Sequence, residues 1–82
     1  MTEQSADVRV LVEQIAKMLV DAPDQVSVNQ IDGEPTVLEL TVAPNDVGKV
    51  IGRSGRVARA LRALVSATGI RAHKRYAVEI LE

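Results

Sequence analysis

The sequence predicts an α+β fold: a three-stranded sheet with helices packed on one face, in the order α-β-β-α-α-β. Three observations lead there. Apolar residues recur every three or four positions in residues 5–21 and 56–68, the spacing of one helical face. Residues 37–42 and 76–81 alternate with period two, as on strands. The turn formers Pro23, Gly33 with Pro35, and Gly52 with Gly55 fall between these stretches. A two-layer arrangement of this kind lets a small chain bury the apolar face of its sheet under its helices.

In residues 5–21, Val8, Leu11, Val12, Ile15 and Leu19 form the apolar stripe. Ser5 is placed to cap this first helix and Asp7 to favour its dipole. Met18 and Leu19 read as core. Pro23 stops the helix, because proline cannot continue the hydrogen-bond ladder. Residues 25–32 follow as a strand, with Val26 and Val28 between polar neighbours. Asp32-Gly33-Glu34-Pro35 is a turn, and Leu38, Leu40 and Val42 share one face of the next strand, so the pair reads as a hairpin. Pro44 suits the first position of a short helix reaching Ile51. A longer helix over residues 56–68 carries the stripe Val57, Ala60, Leu61, Leu64 and Val65. Gly69 is the expected residue closing it, with Ile70 making the accompanying contact. The last strand, residues 76–81, puts Tyr76, Val78 and Ile80 on one face.

The chain of 82 residues is expected to be one domain, residues 1–82, with a polar tail at about 1–4. It has no cysteine, so it offers no disulfide, thiolate metal site or thiol nucleophile, in keeping with a cytoplasmic protein. Apolar runs are far shorter than the ~20 residues a membrane span needs, and the polar, acidic start is unlike a secretory signal.

The net charge of −1 conceals a division along the chain. Residues 1–48 hold nine acidic side chains against Arg9 and Lys17, whereas residues 49–75 hold eight basic ones and no acidic one. The eight are Lys49, Arg53, Arg56, Arg59, Arg62, Arg71, Lys74 and Arg75. Such a block suits one surface to an anion such as a phosphate backbone, unless the acidic half pairs it internally.

Its centre is the stretch Gly52-Arg53-Ser54-Gly55 between two helices. Glycines there allow a tight turn and leave the backbone uncrowded. Amide N–H groups near the following helix's N-terminus, with the positive end of the dipole, suit phosphate oxygens. Arg56 and Arg59 in the opening turns oppose that dipole at about 0.3–1 kcal/mol each. A sequence selected for stability alone would carry Asp or Glu there; a bound anion reverses the sign.

Val50-Ile51-Gly52-Arg53-Ser54-Gly55 resembles the V/I-I-G-x-x-G signature of KH domains, whose G-x-x-G loop clamps about four nucleotides. A helix and strand before the strand-helix-loop-helix-strand core resemble the type II arrangement, over the whole chain. The runs Pro44-Asn45-Asp46-Val47-Gly48-Lys49-Val50-Ile51-Gly52 and Ala58-Arg59-Ala60-Leu61-Arg62 resemble the small stand-alone bacterial KH proteins of the KhpA type. The resemblance implies a two-layer type II KH fold and single-stranded RNA as partner. Gly52 and Gly55 would be the clamp glycines, Arg53 and Ser54 the pair facing phosphates, and Lys49, Arg56 and Arg59 the flanking cations. Val47, Val50, Ile51 and Val57, with strand 37–42 opposite, would line an aliphatic groove for bases. With Tyr76 the only aromatic besides His73, this groove has no aromatic platform. The resemblance also implies a homodimer, or a heterodimer with a larger KH-containing protein, and work as an RNA chaperone.

Other functions fare worse. His73, the one histidine, lies in a basic loop, Ser54 has no evident triad partner, and the carboxylates lack metal-ligand spacing. The loop is not G-x-x-x-x-G-K-[ST], so nucleotide hydrolysis is not expected. No catalytic residue, metal, cofactor or small-molecule substrate is implied. A helix-turn-helix for duplex DNA fits poorly with the flanking strands and neutral total charge. The main competitor is a pairing module that uses the helices around residues 48–59 for a protein partner.

Overall fold

In the computed structural model, which describes residues 7–82, helix α1 spans Val8–Leu19. Asp7 is its cap: an Asp7 carboxylate oxygen accepts the Val10 N–H at 3.4 Å, satisfying one of the donors a helix start leaves open. Ser5 and the tail 1–4 lie outside the described residues. The buried line runs Val8, Val12, Ala16, with Ile15 half-buried. Leu11 falls over the edge of that arc, and Leu19 sits exposed in the open last turn. Met18, expected in the core, is 77% exposed, because a 3.6-residue repeat turns it away from Val12. On the outer face Glu13 pairs with Arg9 at 3.5 Å and Lys17 at 3.0 Å, the spacing that supports a helix.

A short 3₁₀ turn at Pro23–Gln25 leads into β1, Ser27–Ile31, and the turn at residues 32–35 returns the chain as β2, Thr36–Thr41. The two strands are antiparallel, with Val28 opposite Leu40. A 3₁₀ turn at Pro44–Asp46 opens α2, Val47–Ile51, and a second, Arg53–Gly55, joins it to α3, Arg56–Ala72. Strand β3, Tyr76–Ile80, lies parallel to β2 with Val78 beside Leu38. Parallel neighbours need a crossover, which α2 and α3 supply. The sheet order is therefore β1-β2-β3, with β2 central. Val28, Leu38, Leu40 and Val78 form the inner face and pack with Val12, Val50, Leu61 and Val65 in one core.

Helix α3 differs from the expectation in length and in rotation. Its buried positions are Ala58, Leu61, Val65 and Gly69, while Ala60 and Leu64 are exposed and Val57 half-buried. Small residues at Ala58 and Gly69 allow close approach, which a reading that favours bulky apolar side chains overlooks. Gly69 does not end the helix. His73 does, at φ 57°, in a Schellman closure: the His73 N–H donates to Ile70 O at 3.2 Å and the Lys74 N–H to Gly69 O at 2.8 Å. Glycine at 69 serves the returning chain instead. A Cβ there would stand 2.5 Å from the Lys74 carbonyl oxygen and 3.0 Å from Tyr76 Cδ2. Ile70, expected to pack against the cap, is 75% exposed.

Candidate nucleic-acid interface

The turn between α2 and α3 is held by backbone geometry that glycine alone accommodates easily. Gly52 sits at φ 78°, ψ 172°, a region nearly restricted to glycine, and its amide closes α2 on Gly48 O at 2.8 Å. A Cβ on Gly52 would lie 2.5 Å from Val57 Cγ2, so the Val57 side chain packs over the bare backbone. Gly55 is left-handed at φ 76°, and Ser54 shares that region at φ 57°. The Gly55 N–H donates to Gly52 O at 3.1 Å, and the Arg56 N–H to Arg53 O. The helix start has no side-chain cap and no acidic residue in its first turn, so the dipole's positive end is not offset by protein charge.

The expected site residues fall into separate roles. Arg53, Ser54 and Arg56 are exposed, and Arg53 and Arg56 form no ion pair among the described residues. Arg59 braces the loop: its Nη1 donates to the Ser54 carbonyl at 2.8 Å. Val50 is a correction. It is wholly buried in the core, because α2 turns it inward against α3, and so it holds α2 in place without meeting a ligand. Val47, Ile51 and Val57 remain half-buried at the surface. The strand expected opposite them, β2, is the central one, paired on both sides with Leu38 and Leu40 fully buried. The edge strand β3 lies beside α3, where Arg62 Nε donates to Val78 O at 3.3 Å.

Lys49 is placed by a feature the sequence did not reveal. Asp46, only 2% exposed, accepts the Asp21 N–H at 3.2 Å and the Ala22 N–H at 3.0 Å, pinning the end of α1 to the start of α2. Lys49 Nζ bridges Asp21 at 3.3 Å and Asp46 at 3.4 Å, so its charge is compensated locally. Burial pushes the Asp46 carboxyl up, but the two backbone donors and the Lys49 ammonium outweigh it and hold it below the ordinary range. The carboxylates of Asp21 and Asp46 hold the Lys49 ammonium above its ordinary range. The only sequence signal for Asp46 was its place behind Pro44, which marks a helix start and not a tertiary anchor.

A depressed carboxylate contributes stability above its unfolded value, here 3.8, and loses it as pH falls through the folded value. Asp46→Asn keeps the shape but offers an amide where a second acceptor is needed. The variant is expected to melt below the wild type at pH 7, with the gap closing as pH drops below about 4. A gap of the same size at both ends of an acid thermal-melt series would contradict this role for the charge.

A family model described as "KhpA/KhpB, KH domain" matches residues 9–80. The RNA-binding protein KhpA of Clostridium acetobutylicum is 51% identical over 72 residues, 87% of this chain and 96% of that relative. The protein of the same name from Caldanaerobacter subterraneus subsp. tengcongensis is 54% identical over 72 residues, with the same coverage of 87% and 96%. Among solved structures, Era in complex with MgGDPNP and a stretch of 16S ribosomal RNA superposes with a TM-score of 0.65 at 17% identity. That match covers 89% of this chain and 28% of Era, and at such identity it bears on the fold alone.

Proposed function

The chain belongs to the KhpA/KhpB family of KH domains, and from that premise we propose that it is a non-catalytic RNA-binding protein that clamps the backbone of single-stranded RNA with the loop Gly52–Gly55. The observation that carries this reading is the cationic start of α3, which has no side-chain cap and no acidic residue in its first turn, beside the exposed Arg53 and Arg56 guanidiniums that form no ion pair among the described residues. Gly52 and Gly55 keep side chains off the approach. Arg53 and Arg56 supply the charge for phosphates, and Arg59 holds the loop in shape from behind. Lys49 and Asp46 set the angle of α2, and Ile51 and Val57 offer apolar surface to unstacked bases. The relatives named as RNA-binding proteins support the ligand class.

Titration of labelled mixed-sequence single-stranded RNA over a range of salt tests this. The log–log slope of affinity on salt is expected to be about −0.7 per phosphate neutralised, hence about −2 for three phosphates. A salt-independent affinity, or none in the folded protein, overturns the reading.

A second reading, pairing with another copy or with a larger KH-containing protein, is favoured by the apolar side chains of Val10, Leu11 and Met18 left exposed on α1. Pairing would also join two clamps and raise their effective concentration for one RNA. Sedimentation at increasing protein concentration separates it from a monomeric clamp.

A further inference from the structure

Helix α3 carries basic residues at both ends, and the far end has its own recess. Its 17 residues put the two ends roughly 25 Å apart. A cleft of about 310 Å³ opens where the helix closes and β3 begins, lined by Ser66, Ile70, Lys74, Arg75 and Tyr76. That volume is at the small end of the range that holds ligands, about 300–1,000 Å³. Tyr76 is the only tyrosine in a chain without Phe or Trp. Gly69 lets its ring lie against the helix, since a Cβ there would approach Cδ2 to 3.0 Å. Ile70, 75% exposed, stands at the rim as apolar surface the core does not use. Lys74 and Arg75 form no ion pair among the described residues. An adjoining cleft of about 350 Å³ shares those two cations but is also lined by Asp32 and Glu34, which repel phosphate. No carboxylate lines the recess with the tyrosine.

An aromatic face, an apolar rim, a hydroxyl and two cations are the elements that hold a nucleotide: the ring stacks on the base and the cations meet its phosphate. We propose that this recess is a second nucleotide-binding subsite, built on Tyr76, Lys74 and Arg75, that takes a base of the same RNA strand beyond the four nucleotides held at the loop. The proposal rests on the RNA-binding reading of that loop. Arg62, on the α3 flank between the two ends, lies where the strand would pass. The site predicts that affinity depends on RNA length, because only a strand long enough to span the helix reaches it.

The test compares a mixed-sequence RNA of ten nucleotides with one of four, on the full chain, with proton NMR reading the Tyr76 ring and the Gly52–Gly55 amides together. The longer RNA is expected to bind about tenfold more tightly and to move the Tyr76 ring resonances upfield. Tyr76→Leu is expected to remove the gain in affinity while leaving the shorter RNA unaffected, and Tyr76→Phe to retain it. Ile70→Glu, at an exposed helix position that the fold does not need, is expected to remove the gain as well, so the test survives a Tyr76 variant that fails to fold. Loop amides that shift with an unmoved Tyr76 ring overturn the second subsite and leave the clamp standing. If neither the ring nor the loop responds to the longer RNA, both the subsite and the RNA-binding reading fall.

Discussion

Replacing Gly69 by alanine is expected to destabilise the domain by about 1–3 kcal/mol, although alanine is by far the better helix former. The new methyl would stand 2.5 Å from the Lys74 carbonyl oxygen. That clash is with backbone, which no side-chain rotation relieves. Either β3 moves outward from α3 or the helix closure at His73 opens. For a domain of this size each kcal/mol lowers Tm by about 4–8 °C. The matched control is Gly48→Ala in α2, where nothing lies within 4 Å of an added Cβ. There only the propensity gain operates, and stability is expected to rise by up to about 1 kcal/mol. Denaturant melts of the two variants should therefore move in opposite directions. A Gly69→Ala protein as stable as Gly48→Ala would mean that β3 does not approach the helix this closely.

Gly69 also shows where the sequence was legible and where it was not. Element order, the hairpin and the three-stranded sheet follow from local periodicity, which the alternation of Leu38, Leu40 and Val42 displays directly. The loop glycines were legible too, because a tight helix-to-helix turn and a backbone open to ligand make the same demand on Gly52. Local signals could not distinguish a glycine that ends a helix from one that lets a later segment approach, since Lys74 and Tyr76 meet Gly69 only after β3 returns to the sheet. The rotation of α3 was hidden for a related reason: Ala58 is buried and Leu64 exposed because close approach, not hydrophobicity, selected the inward face. The sequence places Lys49 among the cations that would meet phosphates. Its partners are Asp21, 28 residues earlier, and Asp46, whose tertiary role depends on backbone donors that no side-chain pattern encodes. Val37 alternates with the buried Leu38 and so lies on the other face of the sheet, whereas the parallel pairing of β3 with β2 depends on the long crossover and is not visible locally.

Changing Arg53 and Ser54 together to aspartate is expected to weaken RNA binding by roughly 100-fold, through a swing of three charge units at the loop worth about 1 kcal/mol each in water. The fold should survive. Both side chains are exposed, and Ser54 occupies the left-handed region at φ 57°, ψ 25°, which aspartate tolerates better than most residues. The Ser54 carbonyl that Arg59 holds is backbone and is retained. Circular dichroism and a thermal melt should thus match the wild type while RNA affinity falls. The residual binding should also show a shallower salt dependence, by about 0.7 in log–log slope for each phosphate that is no longer neutralised. A folded variant with unchanged affinity would move the RNA away from the loop, to the basic residues at the far end of α3. The cationic start of that helix would then be an unfavourable charge arrangement without a ligand to account for it.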